Sequence, residues 1–145
     1  MSRLHIHIAV EDIEENVRFY SALFDNTPSV RKPDYVKWEL ANPPVNFAIS
    51  KRGAQAGLDH VGLQADSDDE LHAIQARLEQ AGVKGRAQPD ADCCYAKSDK
   101  YWTTDPQGIA WESFHTLASI PTFNSADSAE AARGCCVPHI GSGCC

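Results

Sequence analysis

The sequence predicts an α+β fold: two paired βαβββ modules whose curled mixed sheets enclose a cleft, followed by a flexible cysteine-rich tail. Three observations carry this expectation. The segments "LHIHIAVEDIEENVRFYSALF" from Leu4 and "DHVGLQADSDDELHAIQARLEQAG" from Asp59 share one plan, short strand-like runs follow each, and the chain from Ser125 onward turns to Ser, Ala, Gly and Cys. With 145 residues and 43% hydrophobic content, the chain is long enough to bury a sizeable core.

Each shared segment opens as a strand. Leu4, Ile6, Ile8 and Val10 alternate with His5, His7 and Ala9, and Val61, Leu63 and Ala65 alternate with His60, Gly62 and Gln64, so one face is apolar and the other carries histidine. Helices follow at matching positions, because Asp12 with Glu15 and Ser67 with Glu70 have the spacing of a capping residue and an acid three positions on. The offset between the copies is 55 residues, His5 to His60 and Asp12 to Ser67 alike. Ile13, Val17, Tyr20 and Phe24 form one apolar helical stripe and Leu71, Ile74 and Leu78 the other, with Gly82 as a stop.

The runs "YVKWELA" and "VNFAIS" complete the first copy and "KYWTTD" and "IAWESFH" the second, with turns at Asn42-Pro43-Pro44 and Asp105-Pro106-Gln107-Gly108. This gives a single domain over residues 1–124, with module one at about 1–54 and module two at about 55–118, and a tail over 125–145. Neither half closes a sheet alone, so the halves pair either within the chain or across a homodimer. Aligning the two final turns places Glu112 over Ala48, an offset of 64 residues, so module two carries about nine extra residues before its last strand. Cys93 and Cys94 lie in that extra stretch.

Thirteen basic against twenty acidic side chains, a net charge of −7 and no basic run argue against a nucleic-acid or anionic membrane partner. The start "MSRLHIHIAVEDIEENV" has no long apolar run, so neither a signal peptide nor a membrane span is expected, and the expected location is cytoplasmic. The six cysteines form three adjacent pairs, Cys93-Cys94, Cys135-Cys136 and Cys144-Cys145, a pattern that suits soft ions in a reducing compartment. Neighbouring Cα atoms lie about 3.8 Å apart, short of the roughly 4.4 Å at which ordinary disulfides begin, so a Cys93–Cys94 bond is disfavoured. A dithiol that binds Zn(II), Cd(II), Cu(I) or trivalent arsenic stands beside the plainer reading of two small buried hydrophobes.

His5 and His60 stand on the first strands of the two copies. Alternation in the last strand puts Ala110, Glu112 and Phe114 on one face, so Glu112 can join them. Two histidines and a carboxylate with open positions form the facial triad of non-haem Fe(II) oxygenases, whereas taken singly each residue has a structural explanation. His7 shares the face of His5 and is the alternative first ligand, and the 55-residue register favours His5. His72 and His115 fall outside this geometry.

The stretches "HIHIAVEDIEENVRFYSALF", "LDHVGL" and "DPQGIAWESF" resemble the vicinal oxygen chelate superfamily of glyoxalase I, extradiol dioxygenases and bleomycin-resistance proteins, over roughly residues 3 to 116. Bacterial-type glyoxalase I would need a fourth ligand near Ala48, which alanine cannot supply. "FYSALF", "NPPVNFAIS" and above all "CCYAKSDKYWTTDPQGIAWESF" are similar to Fe(II)-dependent organoarsenical carbon–arsenic lyases and the related cadmium-induced proteins.

That resemblance implies His5, His60 and Glu112 as catalytic iron ligands and Cys93 and Cys94 as the thiols that bind a trivalent methyl- or aryl-arsenical. It implies O2 as co-substrate and release of arsenite; another divalent metal could occupy the site in purified protein. Tyr101 and Lys97, with Tyr95 and Lys100, flank the pair as candidate substrate contacts on a moving loop, although solvation is the ordinary role for the lysines. Cys135, Cys136, Cys144 and Cys145, with His139, are candidate soft-ion captors. The competing readings are a non-catalytic cadmium- or arsenic-binding stress protein of the same fold and another dioxygenase of the superfamily.

Overall fold

The computed structural model describes residues 2–122. The predicted tail and its four cysteines lie outside the described residues. Module one consists of β1 (Arg3–Ala9), α1 (Ile13–Phe24), β2 (Val30–Arg31), β3 (Tyr35–Ala41) and β4 (Pro44–Ser50). Module two repeats the order with β5 (Gly57–Ala65), α2 (Asp68–Gln80), β6 (Arg86–Cys93), β7 (Ala96–Thr104) and β8 (Ala110–Ser119). The eight strands form one mixed sheet in the order β2-β3-β4-β1-β5-β8-β7-β6. β1 and β5 meet antiparallel at its centre, β4 runs parallel to β1, and β8 runs parallel to β5. The halves therefore pair within the chain, about a local two-fold between β1 and β5.

Both helices begin where the capping pattern places them. Asp12 Oδ1 accepts from Glu15 N at 2.7 Å and Ser67 Oγ from Glu70 N at 3.2 Å, each satisfying a backbone donor that the first helical turn leaves open. α2 ends at Gly82, where a φ of 75° lets the backbone turn back and Val83 N reach Leu78 O. Val17 of α1, with the half-buried Tyr20 and Phe24, packs on Trp38, Phe47 and Ile49, whereas Leu71 and Ile74 of α2 pack on Ala65 and Tyr101. Each such fully buried large apolar side chain contributes about 1.5–3 kcal/mol. The helices thus cover the apolar face of the sheet, and the histidine face is left to line its concave side.

The extra stretch of module two is a β-hairpin, not the moving loop expected from the sequence. β6 ends at Cys93, Cys94 and Tyr95 form the turn with φ of 58° and 61°, and Ala96 opens β7 opposite Cys93. Two consecutive positive φ angles define a type I′ turn, whose twist matches that of the flanking strands. Asn-Gly is the usual choice there, and a residue with a Cβ in the left-handed region costs about 1–2 kcal/mol.

Gly62 sets the spacing at the centre of the sheet. A Cβ on it would lie 1.9 Å from the backbone oxygen of Glu112, so β5 and β8 approach this closely only around a glycine. Gly62→Ala is expected to lower unfolding free energy by about 1–3 kcal/mol and to weaken divalent-metal binding with it. Urea unfolding and metal titration check this; unchanged values in both would show that the two strands tolerate separation there.

Candidate metal centre

Three strands deliver three donors to one point. His5 on β1, His60 on β5 and Glu112 on β8 are all buried. His5 Nε2 and His60 Nε2 are 3.1 Å apart, and Glu112 Oε2 lies 3.5 Å from the first and 3.3 Å from the second. Donors with metal bonds of about 2.1 Å at right angles sit about 3.0 Å from each other, so this triangle is close to one face of an octahedron.

The other nitrogen of each ring fixes its tautomer. His5 Nδ1 lies 3.2 Å from Asn46 O, a carbonyl that can only accept, and His60 Nδ1 lies 2.6 Å from the Asp59 carboxylate. Each Nδ1 therefore donates its proton outward, and each Nε2 is free to present a lone pair inward. Asp59 reaches its own neighbour because the β1–β5 register shifts between His7 and Ile8, pairing His7 with His60 and Ile8 with Leu58. That bulge brings the Asp59 side chain, 12% exposed, round to the ring of His60.

His7 gives a second grouping, since ligand atoms of His5, His7 and His60 lie within 4.8 Å of one another. Its Nε2 is already engaged with Ser50 Oγ at 2.8 Å, so the tighter set of His5, His60 and Glu112 is the better-formed site and His7 stands beside it. Ala48 pairs with His7 in the register and packs with Tyr35 and Cys93, placing a methyl group where a fourth ligand would have to stand.

The electrostatics suit a cation. Burial, followed by the charge of neighbouring His60, lowers the pKa of His5 to about 4. Burial, again with His60 beside it, lowers that of His7 to about 3. Burial also acts to lower His60, but its hydrogen bonds to Asp59 and Glu112 outweigh it and hold this pKa above the ordinary value. Glu112 is opposed by burial, yet the charge of Lys100 and the contact with His60 keep it ionised well below the usual carboxylate range. The raised pKa of His60 means that a divalent metal there would compete with a proton.

Lys100 was not singled out by the sequence as part of this site. Its side chain is 5% exposed, and Nζ donates to Glu112 Oε1, the oxygen turned away from the histidines. Ser98, Lys100 and Trp102 share the concave face of β7, and the Trp102 ring lies 5.2 Å from that of His60. The alternation around Trp102 was the signal that could have found Lys100.

The remaining sequence candidates fall in two places. Cys93, Cys94 and Tyr95 line one cavity of about 90 Å³ together with His5, Lys100 and Glu112. Lys97 stays at the surface, 3.5 Å from Asp90, and Tyr101 faces α2 on the other side of the sheet, so neither reaches that cavity. The Cys93 and Cys94 sulfurs are 2.8 Å apart and not bonded to one another. Tyr95 donates to Asp34 Oδ1, whose Oδ2 also accepts from Arg52 at 2.9 Å, and this ties the hairpin tip to module one across the cavity mouth.

A two-fold pair of βαβββ units with two histidines and a glutamate buried at the seam suits a divalent metal, and residues 2–113 match the Glyoxalase/Bleomycin resistance protein/Dioxygenase superfamily. The chain belongs to that superfamily. It is 37% identical over 126 residues to the cadmium-induced protein CadI of Mycobacterium tuberculosis (strain H37Rv), covering 86% of this chain and 83% of that one. It is 30% identical to the trivalent organoarsenical cleaving enzyme of Thermomonospora curvata, with both chains covered in full. Among solved structures, the 2,3-dioxygenase LapB of Pseudomonas sp. KL28 superposes with a TM-score of 0.62 at 17% identity, over 91% of this chain and 48% of that one, which bears on the fold alone. The chain thus spans about half the length of that dioxygenase. Among the described residues no helix is long and apolar enough to cross a membrane.

Two outcomes are expected. Because a metal competes with a proton on His60, zinc affinity rises with pH through the raised His60 pKa and falls below it, and calorimetry in buffers of different ionisation enthalpy records proton release that grows as pH is lowered; affinity independent of pH would contradict this. Lys100→Met leaves Glu112 free to rotate and is expected to weaken metal binding by about 10- to 100-fold, measured by competition with a chromophoric chelator.

Proposed function

We propose that this protein is an Fe(II)- and O2-dependent enzyme that cleaves the carbon–arsenic bond of trivalent methyl- or aryl-arsenicals. The observation that carries the reading is the shared cavity: a vicinal cysteine pair, suited to a soft trivalent ion, opens into the same space as His5 and Glu112, two donors of the 2-His-1-carboxylate trio. The organoarsenical-cleaving relatives support it by name.

His5, His60 and Glu112 would hold the iron, which when bound supplies the redox chemistry that lets dioxygen react. Cys93 and Cys94, as thiols, displace the two hydroxyls of an R–As(OH)2 substrate as water and form two As–S bonds. The arsenic is then held with R as its one remaining substituent, and the rigid hairpin orients R toward the trio. Lys100 and the two Nδ1 partners keep the donors from rotating. Burial and the raised pKa of Tyr35 keep its hydroxyl protonated at the cavity wall. For a methyl substituent the atoms balance as one methylarsonous acid plus one O2 giving arsenous acid and formaldehyde. The clamp requires Cys93 in the reduced state, which fits a reducing, cytoplasmic setting.

The cadmium-induced relatives favour a second reading, sequestration without turnover. Anaerobically iron-loaded, thiol-reduced protein given a trivalent methylarsenical and air separates the two: an enzyme forms arsenite in excess over protein, whereas a sequestering protein stops at about one equivalent. Cys93→Ser and Cys94→Ser are expected to lose turnover and keep metal binding, and His60→Ala to lose both. Turnover by His60→Ala would defeat the iron assignment.

A further inference from the structure

Asn46 sits on β4 opposite His5 in the sheet register and lines the cavity shared by His5, Glu112 and the cysteine pair. Its backbone carbonyl faces His5 Nδ1, and its Nδ2 donates to Gln64 Oε1 at 2.9 Å. Its Oδ1 is buried without a hydrogen-bond partner, the single such side-chain nitrogen or oxygen reported among the described residues, in a residue only 4% exposed. A buried acceptor that has lost its hydration and gained no donor is destabilising, and an apolar side chain would avoid the loss. The donor it lacks is therefore to be sought in what enters the cavity, whose volume of about 90 Å³ is enough for about three molecules the size of water.

We propose that Asn46 is a positioning residue of this cavity: its Oδ1 accepts a hydrogen bond from the O–H of a small oxygen ligand, a water molecule, seated beside the His5–His60–Glu112 donors. The metal-site reading above supplies what that ligand sits against; the acceptor stands on its own burial and lack of a partner. A hydroxyl-bearing ligand bound here would be held by its proton at Asn46, so its oxygen lone pairs would be turned to the trio. A ligand without a proton would gain nothing from Asn46, and the site would discriminate against it.

The test uses full-length protein loaded with Zn(II), which binds without redox turnover. A high-resolution crystal structure is expected to place an oxygen within hydrogen-bond distance of Asn46 Oδ1 and next to the metal. If it is there before a methylarsenical is added, it is resident water; if it appears only afterwards, it is water released as the two thiols displace the hydroxyls of the arsenical. Zinc seated on the trio with Oδ1 still alone, or paired to a protein donor, overturns the proposal while leaving the metal site standing. A protein that takes up no zinc overturns the metal reading, and the ligand's seat with it.

A solution measurement separates positioning from simple packing. The double variant Asn46→Leu/Gln64→Leu removes the lone acceptor together with its amide partner, so it is expected to melt no lower than the parent and to bind zinc within about threefold of it. Its iron-loaded kcat/KM for the methylarsenical is expected to fall at least tenfold. Unchanged kcat/KM in a folded, metal-binding double variant would assign Asn46 a purely structural role and overturn the proposal.

Discussion

Everything at this site depends on the antiparallel seam between β1 and β5. Placed at the middle of one eight-stranded sheet, the seam sets His5 and His60 across a local two-fold, and β8 running parallel beside β5 adds Glu112 to the same face. The backbone approach at Gly62 is what lets Glu112 close the triangle, because a Cβ there would push β8 outward. The modules are held together by the same hydrogen bonds that assemble the donors, so the site and the pairing of the halves stand or fall together.

A buried group of this kind is expensive unless its charges are matched. Glu112 is surrounded by Lys100 and two imidazoles, and Asp59 is matched by His60. Burial opposes ionisation of Glu112, and the charge of Lys100 does most to overcome it. One lysine thus does two jobs: it keeps the carboxylate ionised, and it occupies the oxygen that faces away from the trio. Because Asn46 and Asp59 take the outward protons of the rings, the lone pairs left inside have no partner that satisfies all three at once except a cation.

The cysteine hairpin brings a different chemistry to the same cavity. Imidazole and carboxylate donors suit hard and borderline ions, and sulfur suits soft ones. Its turn keeps two non-glycine residues in the left-handed region, and the Tyr95–Asp34–Arg52 contacts hold that turn against module one. Members of one superfamily carry many reactions on a shared seam. Here the departure lies in the longer second module, whose extra residues build the hairpin, and in Ala48, which leaves the trio without a fourth protein ligand.

Local patterns account for what the sequence alone determined: the two strand–helix openings, both capped helices, the histidine face of each first strand and the shared face of Glu112 and Phe114. All depend on periods of two or 3.6 and on caps a few residues long, which neighbouring residues specify. The identity of the cysteine pair as a feature of module two was legible in the same way, through the offset between the repeats. Tertiary structure alone decided the rest. Lys100 read as a solvated lysine or a contact beside the cysteine pair, because burial depends on which strands flank β7, and Asp59 was not singled out, because the bulge that turns it inward arises only when β1 pairs with β5. Asn46 showed no signal at all: a lone buried acceptor is defined by the absence of partners among the residues around it, and no local pattern in a chain records an absence in space.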